Sequence, residues 1–165
     1  MTYADPYSAW KSNPEAFWME AAKAIDWVTP PSAALNADNA PLYEWFTDAE
    51  VHTCYNAVVR LVEAGNGDRV AIIYDSPVTH TKQEITYAEL QERVSLLAGA
   101  LRAKGVEKGD RVLIYMPMVP QALEAMLACA RLGAIHSVVF GGFAAKELAV
   151  RNADATPTAL IAASG

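Results

Sequence analysis

The stretch Gly109–Phe143, GDRVLIYMPMVPQALEAMLACARLGAIHSVVFGGF, limits the chain to very few folds. Arg111 to Tyr115 is a short apolar run fenced by Gly109-Asp110 before it and by Pro117 and Pro120 after it. A run of that length between turn formers predicts a buried strand. Gln121 to Leu132 is almost wholly apolar, with Gln121, Glu124 and Arg131 as its strongly polar residues. At 3.6 residues per turn those three fall on one narrow stripe, which predicts a helix whose remaining surface is buried. Gly133 suits the helix C-terminus, because a glycine takes φ > 0 without a Cβ clash. Ile135 to Val139 is a second apolar strand, ended by Gly141-Gly142. Strand, crossover helix and strand form a βαβ unit, and such a unit implies a parallel sheet.

The flanks extend this α/β pattern. Asn13-Pro14 pairs an N-cap residue with proline at the first helical position, and Phe17, Trp18, Ala21, Ala22 and Ile25 follow on one face. Asp26 to Phe46, rich in Pro, Asn and Ala, predicts an extended surface segment. Val51 to Ala64 predicts a helix closed by Gly65. Val70–Tyr74 and Lys82–Thr86 predict an antiparallel strand pair. Thr86 and Glu89 have capping-box spacing and open a helix carrying Leu90, Val94, Leu97 and Leu101, which ends at Gly105. Ala144–Ala153 predicts a further helix, and Thr158–Ala162 a further buried strand. The fold class is α/β with a mostly parallel sheet, divided into an N-terminal helical and extended arm (1–50) and a first α/β part (51–165).

At 165 residues, one compact domain is the default expectation. Hydrophobic residues make up 53% and charged residues 19%, so the chain has ample apolar surface to bury. A net charge of −6 argues against a nucleic-acid or anionic-membrane surface. The two cysteines, Cys54 and Cys129, read as reduced core thiols. No apolar run reaches the ~18 residues of a membrane span, and MTYADPYSAW lacks the features of a signal peptide. The expectation is a cytoplasmic protein. All four tryptophans (Trp10, Trp18, Trp27, Trp45) lie in the first third, as anchors of a wrapping arm or as a partner surface.

Among residues that could carry chemistry, the loop Phe140-Gly141-Gly142-Phe143 stands out. It follows a parallel strand and precedes a helix, at the sheet edge where ligands bind in open α/β folds. Its glycines would let backbone amides approach a phosphate or nucleotide. They would equally serve a tight turn needing φ > 0. His136, mid-strand, reads as a hydrogen-bonded core or sheet-face histidine rather than a general base. His52 and His80 lie at a helix start and in a loop, and neither is read as having a Cys, Asp or Glu at ligand spacing, so no metal site is expected. The carboxylates are dispersed over helix faces and caps. Ser164-Gly165 lacks the following residues that a nucleophile elbow requires.

GVEKGDRVLIYMPM, AMLACARLGAIHSVVFGGFAAKELA and AIIYDSPVT resemble the acyl-CoA synthetases that work through acyl-adenylates, most closely the propionyl- and acetyl-CoA branch. The likeness runs from about Tyr7 to Ser164. It implies that a complete enzyme joins a short carboxylate, propionate or acetate, to CoA, using ATP and Mg²⁺, with small-molecule partners. It also implies that Phe140, Gly141 and Gly142 lie against the nucleotide end of CoA. Segments matching the family's later phosphate loop, adenine region and catalytic lysine do not occur here, so catalytic residues are expected to be absent from these 165 residues. A standalone CoA-binding module is the other expectation. The chain departs from its relatives at Val59 (usually Asp), Leu61 (usually His) and Asn152 (usually a buried Ile), which predicts locally altered packing.

Overall fold

A computed structural model describes residues 3–163. The chain divides into two compact units, Met1–His52 and Thr53–Gly165, rather than forming one domain.

In the first unit, α1 (Ala4–Ser12) is followed by α2 (Pro14–Ala22). Asn13 caps α2 as expected, its side-chain oxygen accepting from the Ala16 amide at 3.0 Å. Ile25 lies beyond the helix end, so the predicted apolar face is one turn shorter. The segment read as extended contains short strands: β1 (Trp27–Thr29), β2 (Leu35–Asn36) and β3 (Glu44–Trp45), with β4 (Glu50–Val51) beyond them. They pair antiparallel, β1 with β4 and β2 with β3. Among the described residues of this unit only Ala22 and Ala34 are fully buried. The scaffold instead uses polar ties and aromatic edges. Glu15 accepts from the Ala34 amide at 2.7 Å, and the Trp27 indole donates to the Ala22 carbonyl at 2.8 Å. Trp18, Trp45, Phe46 and Trp27 form a chain of ring contacts 5.4–5.9 Å apart.

The second unit opens with a helix over residues 53–66, two residues later than its pattern suggests, because Val51 pairs in β4. Two stretches of it, Tyr55–Val59 and Val62–Asn66, are π-helical, and Gly65 turns the chain at φ +80°. β5 (Val70–Ser76) and β6 (Thr81–Thr86) form the expected antiparallel hairpin. Thr86 and Glu89 make the full capping box at the start of α3 (Tyr87–Ala103), whose Leu90, Val94 and Leu101 are buried.

β7 (Arg111–Met116), α4 (Pro120–Leu132) and β8 (Ile135–Phe140) form the central βαβ unit, and Gly133 ends α4 at φ +71°. α5 (Ala145–Ala155) and β9 (Ala159–Ala162) complete a parallel sheet in the order β8-β7-β9. Among the described residues, parallel pairing is confined to this sheet and the other ladders are antiparallel. β7 alternates its side chains between two faces. On one, Val112 joins Ala159, Ile161, Ala128 and Cys129 in the core. On the other, Arg111 and Tyr115 bond the two flanks of α5. α4 and α5 therefore lie on opposite faces, as right-handed crossovers leading to opposite sides of β7 require.

Three expectations are corrected or narrowed in this unit. Glu124 is buried, and Leu123 on the same helix is 39% exposed, because α3 covers the polar stripe and supplies Arg93 to the carboxylate. His136 is exposed on the outer strand β8, which removes the core alternative and leaves the sheet-face one. Asn152 is exposed on α5, so no buried polar cost attaches to it. Cys54 and Cys129 are free and buried, as expected.

Candidate active-site loop

The connections reverse direction across the sheet at β7, and this switch point lies at the carboxyl ends of β7 and β8. Helices depart from those two ends to opposite faces, which makes this the place where open α/β sheets bind ligands. Phe140 is the last residue of β8, and Gly141 and Gly142 follow it directly at this edge.

Neither glycine has a positive φ, so the turn does not need them for a left-handed backbone. Close approach explains one of them. A Cβ on Gly141 would stand 2.9 Å from the Met116 carbonyl oxygen and 3.0 Å from the Pro117 nitrogen, both rigid backbone at the end of β7. Gly142 lies under the Phe140 ring, where a Cβ would come within 2.6 Å of a ring carbon. The glycines thus seat the loop on its neighbour strand and let an aromatic ring fold over it.

Phe143 closes the turn by donating its amide to the Phe140 carbonyl at 3.0 Å. The Phe140 and Phe143 rings meet edge to face at 5.6 Å. The Arg151 guanidinium lies 4.8 Å from the Phe143 ring centroid and pairs with Glu147 at 2.9 Å. From the sheet, the Tyr115 hydroxyl donates to the Phe143 carbonyl at 2.7 Å. Phe140 stays 62% exposed and Met118, on the adjoining β7–α4 loop, 87% exposed. The rim therefore offers an exposed aromatic ring, chemistry suited to stacking a planar base.

Sequence reasoning overlooked Tyr115 and Arg151. A local signal existed for Arg151, four residues after Glu147 on one helix, but none for Tyr115, whose partner Phe143 lies 28 positions away. Elsewhere, His52, His80 and His136 remain apart in sequence and element. Among the described residues no group of three or more His, Cys, Asp or Glu could hold a metal ion. Ser164 and Gly165 lie outside the described residues.

Residues 60–164 match the AMP-binding enzyme family, and residues 3–57 match the acetyl-coenzyme A synthetase N-terminus. The chain belongs to the AMP-binding enzyme family. It is homologous to the AMP-forming short-chain acyl-CoA synthetases. It is 53% identical over 162 residues to acyl-CoA synthetase short-chain family member 3, mitochondrial, of Bos taurus, covering 98% of this chain and 24% of that protein. The Homo sapiens protein of the same name is 51% identical with the same coverage. Acetyl-coenzyme A synthetase of Streptomyces avermitilis is 48% identical, over 98% of this chain and 25% of that protein. The chain spans about a quarter of the length of these curated relatives. Among the described residues no helix is long and apolar enough to cross a membrane.

Proposed function

We propose that this chain forms the N-terminal part of a short-chain acyl-CoA synthetase that activates propionate, and that Phe140, Gly141 and Gly142 contact the nucleotide end of CoA. In such an enzyme the carboxylate attacks the α-phosphorus of ATP, and pyrophosphate leaves. The CoA thiol then attacks the carbonyl of the acyl-adenylate and releases AMP. The observation that carries the proposal is the loop at the switch point, where an exposed Phe140 and a glycine pair sit beyond the carboxyl ends of two parallel strands. The proposed division of labour gives residues 1–50 the role of an N-terminal arm and residues 51–165 that of the first α/β layer.

Adenylation needs cationic and amide stabilisation of the transferring phosphate, and Mg²⁺ supplies part of that charge. The carboxylates here are dispersed, so no step through Mg²⁺ is assigned to these residues. Propionate is favoured over acetate by the likeness of Tyr74-Asp75-Ser76-Pro77-Val78-Thr79 and of the Pro120-Gln121 pair to the propionyl type. Acetate is the alternative, supported by the Streptomyces relative's name. Two buried, unpaired thiols fit a reducing compartment such as the cytoplasm.

Propionate-dependent exchange of labelled pyrophosphate into ATP tests the proposal. A polypeptide carrying this chain together with a later Gly/Ser/Thr-rich loop ending in lysine is expected to exchange faster with propionate than with acetate. The 165-residue chain alone is expected to match a no-protein blank. Exchange by the short chain, or a preference for acetate in the long one, contradicts the assignment.

A further inference from the structure

We propose that Tyr115, backed by Arg151, is a positioning residue that holds the Phe140–Phe143 loop in its ligand-ready form; this rests on the CoA assignment above. Phe140 is 62% exposed, so little around it fixes the ring. Its orientation depends on two supports: Gly142 beneath it and the edge of Phe143 beside it. Phe143 is in turn gripped from two sides. The Tyr115 hydroxyl holds its carbonyl at 2.7 Å, and the Arg151 guanidinium covers its ring at 4.8 Å.

Both grips are themselves anchored. Tyr115 sits in the central strand, paired with Val139 on one side and Ala162 on the other. Arg151 is tied to Glu147 twice, through the carboxylate at 2.9 Å and through the backbone carbonyl at 3.1 Å. Arg111, four residues before Tyr115 and on the same face of β7, donates to the Ala155 carbonyl at 3.0 Å. One strand thus fastens α5 near both its ends, and the loop is suspended from the near fastening. A loop ordered before the ligand arrives spares the binding step the entropy of ordering it. The hydroxyl of Tyr115 therefore raises affinity without touching the ligand.

Tyr115→Phe removes the hydroxyl and keeps the ring. Its effect is read by hydrogen exchange at the Phe143 amide and by a CoA titration of the same chain. Tyr74→Phe, on the β5–β6 hairpin, serves as the control. The proposal expects exchange at Phe143 to quicken and CoA affinity to fall, each about threefold, the size of one solvent-accessible hydrogen bond. Tyr74→Phe is expected to change neither. Faster exchange with unchanged affinity makes the bond structural only and overturns the proposal, as does no change in either. Absence of CoA binding by the unsubstituted chain defeats the CoA assignment, a failure visible before any variant is compared, and the positioning role falls with it. Should Tyr115→Phe unfold, Arg151→Gln takes its place: the same paired loss upholds the latch, and unchanged exchange and affinity overturn it.

Discussion

Arg93 on α3 reaches Glu124 on α4 at 3.4 Å, and the Glu124 side chain is only 9% exposed while the Arg93 side chain is 32% exposed. The two partners are therefore unequal. Arg93 can find water if Glu124 is lost, but Glu124 without Arg93 is a charge stranded between two helices. Arg93→Ala is expected to cost about 2 kcal/mol, whereas replacing both residues by Met should restore most of that loss. Urea midpoints of the single and double variants check this. A single variant within about 0.5 kcal/mol of the parent would show that the pair contributes nothing.

The capping box makes stability at the head of α3 depend on pH. The Thr86 amide and then the Thr86 hydroxyl hold the Glu89 carboxyl below the ordinary glutamate range. A lowered folded value means that the ionised form is favoured by folding. Its contribution is complete above about pH 4.3 and fades as pH falls through the lowered value. Thr86→Ala should cost about 1 kcal/mol at neutral pH, and Glu89→Gln, which removes the titrating group that the Thr86 amide holds, should flatten the acid dependence. Thermal melts across pH 2.5–6 on the order of half-unit steps would reveal both effects. An unchanged acid slope in Glu89→Gln would be inconsistent with the box as the source.

Both thiols should be silent in the native chain. Burial pushes Cys129 up to about 11, and Cys54 is also raised by burial, with Arg131 acting against it. The thiolate is the reactive form, so neither cysteine should react with a disulfide reagent at about pH 8 until the chain unfolds. Rapid labelling of one thiol under native conditions would contradict the packing around it.

The two loop glycines should differ in tolerance. Alanine at position 141 pushes against the Met116 carbonyl and the Pro117 nitrogen, which are backbone, so relief requires moving the loop. At position 142 it meets the Phe140 ring, which can turn away. Gly141→Ala should destabilise by about 2 kcal/mol, within the usual range for overpacking, and Gly142→Ala by less than about 1 kcal/mol. Denaturant titration of the two variants decides the order, and the reverse order would contradict the seating of Gly141 on β7.

The βαβ unit was legible because its strands are apolar runs with glycine or proline at each boundary, and those signals are local. Features set by distant partners were not. Glu124 is buried because Arg93 comes from a residue 31 positions away, and no periodicity within α4 contains that information. Tyr115 and Phe143 are separated by 28 positions, so their bond was equally hidden. α1 went unread because it buries no residue and so carries no apolar stripe. Ile135 and Val138 belong to an apolar strand yet are 56% and 51% exposed, since β8 is the outer strand of the sheet and hydropathy is blind to strand order. The candidate loop was legible in position and residue type. Its glycines were misread in part, because φ and close approach leave the same letter in a sequence.

The account stands or falls on whether the Phe140–Phe143 loop contacts CoA. Amide chemical shifts of the chain, followed residue by residue during a CoA titration, test that most directly. Saturable shifts concentrated at Phe140, Gly141, Gly142 and Phe143 are the predicted result. No saturable shift, or shifts confined to the amino edge of the parallel sheet around Gly109 and Gly133, would contradict it.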